Sequence, residues 1–148
     1  MKSITHLTAL LALTLSVPAF AQMSPLGTWQ TIDDNTQEAK AEIQITDVAG
    51  QLNGRIMKTL RDDPKAKKVC SDCKDDRKDQ AILGMEIIRG VKQEGSENVW
   101  AGGGKILDPE NGKEYTVRMT PLEGGKKLQV RGYIGPFYRT QIWIRSRS

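Results

Sequence analysis

From Gly27 onward the chain alternates short apolar and polar positions, and Gly, Asn, Asp and Pro punctuate it at close intervals. The clearest segment is 40–46, where Ala41, Ile43 and Ile45 point one way and Lys40, Glu42, Gln44 and Thr46 the other. A period of two marks a strand with one buried face. The same reading predicts strands over 27–32, 52–60, 86–92 and 98–107, with Leu52, Gly54, Ile56 and Leu60 sharing a face of the 52–60 strand. Further along, Tyr115, Val117 and Met119 alternate with Thr116, Arg118 and Thr120; Leu128, Val130, Gly132 and Ile134 line another strand; and 138–145 closes the set. Ala49-Gly50, Asp108-Pro109-Glu110-Asn111-Gly112, Glu123-Gly124-Gly125 and Gly135-Pro136 supply turn chemistry between them.

Only 61–80 breaks the rhythm. It carries seven Lys/Arg and several Asp around Cys70 and Cys73 and almost nothing apolar, so it reads as one long polar connection. Eight antiparallel strands joined mostly by hairpin-short turns predict an all-β, up-and-down barrel large enough for one small ligand. A two-sheet sandwich has the same strand count but would need longer crossovers.

The first residues differ from the rest. Lys2 precedes a nearly unbroken apolar stretch over 7–17, then Ala19-Phe20-Ala21 offers the small-x-small pattern of a signal peptidase site. This predicts a signal peptide over 1–21, removed on export to the periplasm, and a barrel domain over 22–148. The run is too short to span a membrane as a helix.

Cleavage would remove His6, the only histidine of the chain. The exported domain would then lack imidazole for Ser-His-Asp catalysis or His-containing metal sites, so no enzyme, cofactor or metal is expected. The formal charge of +4 is spread along the chain, which indicates neither a nucleic-acid footprint nor a polybasic membrane patch.

Several motifs occur in a fixed order: Gly27-Thr28-Trp29, Asp33-Asp34, Cys70-Ser71-Asp72-Cys73-Lys74, 106–113 with its Asp-Pro-Glu-Asn-Gly turn, Val130-Arg131-Gly132-Tyr133-Ile134-Gly135, and Arg139-Thr140-Gln141-Ile142-Trp143. Together they resemble the secreted bacterial family called domain of unknown function 2147. Gly-x-Trp on the first strand with Arg145 at the end of the last resembles the lipocalin and calycin barrels. That resemblance implies a closed-end plug in which Arg145 packs across the Trp29 ring, a cation–π contact of about 0.5–2 kcal/mol.

Candidate chemistry is sparse. Cys70 and Cys73 have the spacing of a thiol-disulfide redox pair, but the βαβ context of such enzymes is missing. A structural disulfide in an oxidising compartment is the simpler reading, and two ligands fall short of a zinc ribbon. Asp33-Asp34-Asn35-Thr36 offers oxygens but lacks the alternation of a calcium loop, and Asp in a turn bonds its own backbone.

Ligand contacts are expected among Trp29, Tyr115, Arg131, Tyr133, Phe137, Arg139, Gln141 and Trp143, aromatic and polar residues concentrated in the last strands. An inward arginine there would need an anionic partner, for which a ligand head group is one source. If Val130 and Gly132 face inward, Arg131 and Tyr133 face out. The leading expectation is a non-catalytic carrier of a small hydrophobic or amphipathic molecule. The alternatives are a packed barrel that binds proteins through 61–80 and a redox protein using Cys70 and Cys73.

Overall fold

The computed structural model describes residues 23–147, so the predicted signal peptide lies outside the described residues. The strands are β1 (Gly27–Ile32), β2 (Ala39–Val48), β3 (Gln51–Thr59), β4 (Glu86–Val91), β5 (Lys105–Asp108), β6 (Lys113–Leu122), β7 (Lys127–Ile134) and β8 (Phe137–Arg145). Each is antiparallel to the next, and β1 pairs with β8 through Trp29↔Arg145 and Gln30↔Ile144, which closes the sheet into an up-and-down barrel. One short 3-10 turn (Glu123–Gly125) is the only helical element among the described residues, and no helix there is long and apolar enough to cross a membrane.

The predicted alternation holds where a single strand spans the barrel. Ile43 and Ile45 of β2, Leu52 and Ile56 of β3, Val117 and Met119 of β6, and Leu128 and Val130 of β7 are all buried in one core with Trp29 and Trp143. Two predicted details differ. Leu60 is partly exposed, because the β2–β3 register slips past Met57: Ile43 faces Ile56, but Glu42 faces Lys58. The extra residue of such a bulge reverses the alternation beyond it, so Leu60 leaves the inward face. A similar slip at Ile87 lets both Ile87 and Ile88 be buried.

The predicted strand 98–107 survives as a strand only from Lys105, with Trp100 held by isolated bridges to Gln93 and Met119. Between them Gly102 and Gly103 turn at φ 21° and 78°, a region side-chain-bearing residues avoid. Gly102 and Gly103 thus make a turn that interrupts the predicted strand.

The barrel has two different ends. At one end lie the Ala49-Gly50 turn, the 92–104 connection and the 3-10 turn, together with the start of β1 and the end of β8. At the other lie the 33–38 loop, the 109–112 turn, the Gly135-Pro136 turn and the long connection between β3 and β4. Charge composition does not distinguish the residues of that connection, but the fold does. Arg77 is buried and donates to Asp75 (2.6 Å), Glu114 (2.7 Å) and the backbone carbonyl of Glu86 (3.0 Å). One guanidinium thereby ties the connection to the starts of β4 and β6.

Candidate functional site: a cavity at the open end of the barrel

The closed end is built around Arg145. Its guanidinium carbon lies 4.1 Å from the Trp29 ring centroid, and its nitrogens donate to the carbonyls of Gly125 (2.5 Å), Leu26 (2.7 Å) and Ser24 (2.9 Å). Trp29 in turn donates its indole N–H to Pro25 (2.7 Å). Gly27 leaves room for the guanidinium, since a Cβ there would lie 2.6 Å from Nη1 of Arg145. The Gly-x-Trp and Arg145 at the end of β8 are therefore parts of one plug. Burial holds the Arg145 pKa below the usual arginine value, yet an arginine stays charged at any ordinary pH.

Above the plug a cavity of about 370 Å³ opens between the 33–38 loop and the 108–112 turn. Ile43, Ile56, Ile87, Leu107, Val130 and Trp143 give it an apolar wall. Tyr115 and Gln141 add neutral polar groups, with Gln141 Oε1 accepting the Trp143 indole N–H at 3.1 Å. A size in the lower part of the usual ligand-pocket range, with an apolar wall below and polar and charged groups toward the mouth, suits one small amphipathic molecule.

Charged residues ring the mouth. Lys40 pairs with Glu110 at 2.8 Å, joining β2 to the turn between β5 and β6 on the far side of the barrel. Arg139 pairs with Asp34, and Arg61 with Asp33 at 2.8 Å. Asp33 also accepts the backbone N–H groups of Asn35 (2.9 Å) and Thr36 (3.0 Å), the turn chemistry expected of it. These backbone bonds, then Arg61, bring the Asp33 pKa from the usual 3.8 to about 2. The Arg77 hydrogen bonds bring Asp75 to about 2 as well.

Both carboxylates have folded-state pKa values below the unfolded ones, so their contribution is full above 3.8 and is lost as pH falls through about 2. Carbon-detected NMR titration should place both midpoints near 2, with stability declining over that window. A midpoint near 3.8 for Asp33 would show that the loop is not held by its carboxylate.

The structure brings four of the predicted ligand residues to this cavity, Tyr115, Arg139, Gln141 and Trp143, and places the other four elsewhere. Trp29 is spent on the plug. Arg131 and Tyr133 sit on the outer face with Tyr138: the Arg131 guanidinium lies 4.7 Å from the Tyr138 ring centroid, and the two tyrosine rings are 5.6 Å apart. Phe137, 77% exposed, stands at the β7–β8 turn beside Ile134. Reading the sequence missed the mouth residues Lys40, Asp34, Asp108 and Glu110. Asp34, Asp108 and Glu110 belong to turns and to the family-like motifs and Lys40 to a strand start, but nothing local names the partners of Lys40, Asp34 and Glu110, which lie far away in the chain.

Cys70 and Cys73 form a disulfide with Cα atoms 5.4 Å apart. At 0% and 2% exposure their sulfurs are closed to an attacking thiolate, and thiol exchange requires access. The bond staples the long connection where it meets the 108–112 turn.

An eight-stranded closed barrel, plugged at one end by Trp and Arg and holding a cavity at the other, is a lipocalin-like architecture. Residues 27–145 match the family described as "Uncharacterized protein conserved in bacteria (DUF2147)", and the chain belongs to that family. A solved structure from the human pathogen Helicobacter pylori, described as belonging to the lipocalin family, is similar at a TM-score of 0.68. It shares 20% sequence identity, and the match covers 83% of each chain. At that identity the likeness concerns the fold. Comparison with curated proteins gives no match.

Proposed function

We propose that this protein is a non-catalytic carrier, exported to the periplasm, that binds one small hydrophobic or amphipathic molecule inside its barrel. The observation that carries the reading is the apolar-walled cavity of about 370 Å³ with a mouth at one end. Burial of ligand surface against Ile43, Ile56, Ile87, Val130 and Trp143 supplies the driving force, at roughly 25 cal/mol per Å² of apolar area removed from water. The lipocalin-like fold and the signal-like segment 1–21 support it.

Native mass spectrometry of the protein isolated from its own periplasm, before and after organic extraction, tests it. An extractable adduct of small-molecule mass is expected. A clean apo mass that persists after incubation with a lipid extract would overturn the carrier reading. A companion variant fills the space: Ala41 lines the cavity and is only partly buried. Ala41→Trp should weaken binding of a neutral apolar fluorophore by about tenfold or more, at a stability cost of no more than about 1–3 kcal/mol.

A second reading, an interaction module, is favoured by one feature. Ile134, Phe137 and Tyr138 stand exposed together at the turn that borders the mouth. It gains if the apo mass above is accompanied by a partner that Phe137→Ser releases.

A further inference from the structure

Resting on the carrier reading, we infer that the cavity selects the charge of its ligand's head group: it takes an amphiphile with a cationic, alkylammonium-type head in preference to a carboxylate of the same chain. An inward arginine at the mouth of an apolar cavity would ordinarily point to an anionic head group, but the partner of Arg139 is already present in the protein, Asp34. The other cation lining the cavity, Lys40, is likewise engaged by Glu110. An entering carboxylate would have to displace one of these pairs and leave a protein carboxylate without its cation.

The opposite sign meets no such obstacle. The cavity lining holds four carboxylates, Asp33, Asp34, Asp108 and Glu110, against the two cations. Arg61 answers Asp33 from just behind the lining. Asp108 accepts only neutral donors, the Glu110 backbone N–H at 3.0 Å and the Asn111 side-chain amide at 3.0 Å, and has no ion pair among the described residues. An ammonium entering beside Asp108 breaks nothing and gains a counter-charge. A second, independent feature favours it: Tyr115 and Trp143 line the same cavity, and aromatic rings attract cations through their faces. The apolar wall below then takes the chain.

The test displaces a neutral apolar fluorophore, N-phenylnaphthylamine, from the full-length exported protein with three ligands of one chain length: decyltrimethylammonium, decanol and decanoate, all below micelle formation. The expected order places the ammonium about five- to tenfold tighter than decanoate at low salt, the scale of one or two surface charge interactions. That ratio should shrink as salt rises toward about 1 M, where screening is short-ranged. Asp108→Asn keeps one of the two side-chain acceptors of the turn and removes the charge; it should reduce the ammonium's advantage over decanol severalfold. Decanol binding with equal or tighter binding of decanoate would overturn the charge inference and leave the carrier reading standing. Failure of all three to displace the probe, or of the probe to bind, would overturn both.

Discussion

Arg145→Ala should cost about 2–4 kcal/mol of folding stability, read as a lower urea midpoint at unchanged slope. The side chain serves three backbone carbonyls at once, those of Gly125, Leu26 and Ser24, and covers the Trp29 ring. Hydrogen bonds from a charged donor contribute about 1.5–3 kcal/mol each, and the desolvation of the half-buried guanidinium takes back part of the total. Arg145→Lys tests the geometry separately from the charge. An ammonium cannot spread donors across three carbonyls as the planar fork does, so lysine should recover less than half of the loss. If alanine cost under about 1 kcal/mol, water would be replacing the guanidinium and the plug would be ornamental to stability.

Gly112→Ala should be the other severe substitution, at about 2–4 kcal/mol. Gly112 sits at φ 70°, and a Cβ there would come within 2.1 Å of the Asp72 carbonyl oxygen and 2.8 Å of the Cys73 backbone nitrogen. Those are backbone atoms of the disulfide segment, so no side-chain rotation relieves the clash. Either the 108–112 turn or the stapled connection must move. Because the same turn carries Asp108 and Glu110 to the mouth, the variant should also weaken fluorophore binding. Chemical denaturation and probe titration of one sample check both effects. Binding lost at full stability would mean that the turn moved, not the staple. Stability unchanged would show that the two segments do not touch.

Legibility in the sequence followed the range of the interaction. The alternation of Ala41, Ile43 and Ile45 is a local consequence of the pleat, and it placed β2 and its inward face correctly. Turn residues such as Asn111-Gly112 fixed where strands end. The bulge at Met57 was invisible, since nothing in its neighbourhood distinguishes an extra residue from a paired one, and it carried Leu60 outward. Trp29 and Arg145 were legible as a pair only through the family resemblance. The mouth was the least legible part. Lys40–Glu110 and Asp34–Arg139 join residues from distant strands, and 61–80 offers seven basic side chains of which Arg77 alone is buried. Tyr115, Gln141 and Trp143 could be proposed because aromatic and polar residues gather in the last strands. Tyr133 shared that composition but faces outward, and Phe137, in step with Gln141 and Trp143 along β8, stands at the exposed β7–β8 turn.

The plug has a consequence for how the barrel comes into being. Seven of its strand pairings join neighbours in sequence, but the eighth joins β1 to β8, and Arg145 reaches Leu26 across 119 residues. Closing so long a loop is entropically the most expensive contact of the fold. In a chain that emerges in order, β1 therefore cannot gain its β8 partner until almost the whole sequence has been delivered. Until then that edge of the first strand stays bare. Arg145 is the residue whose arrival ends that vulnerable interval.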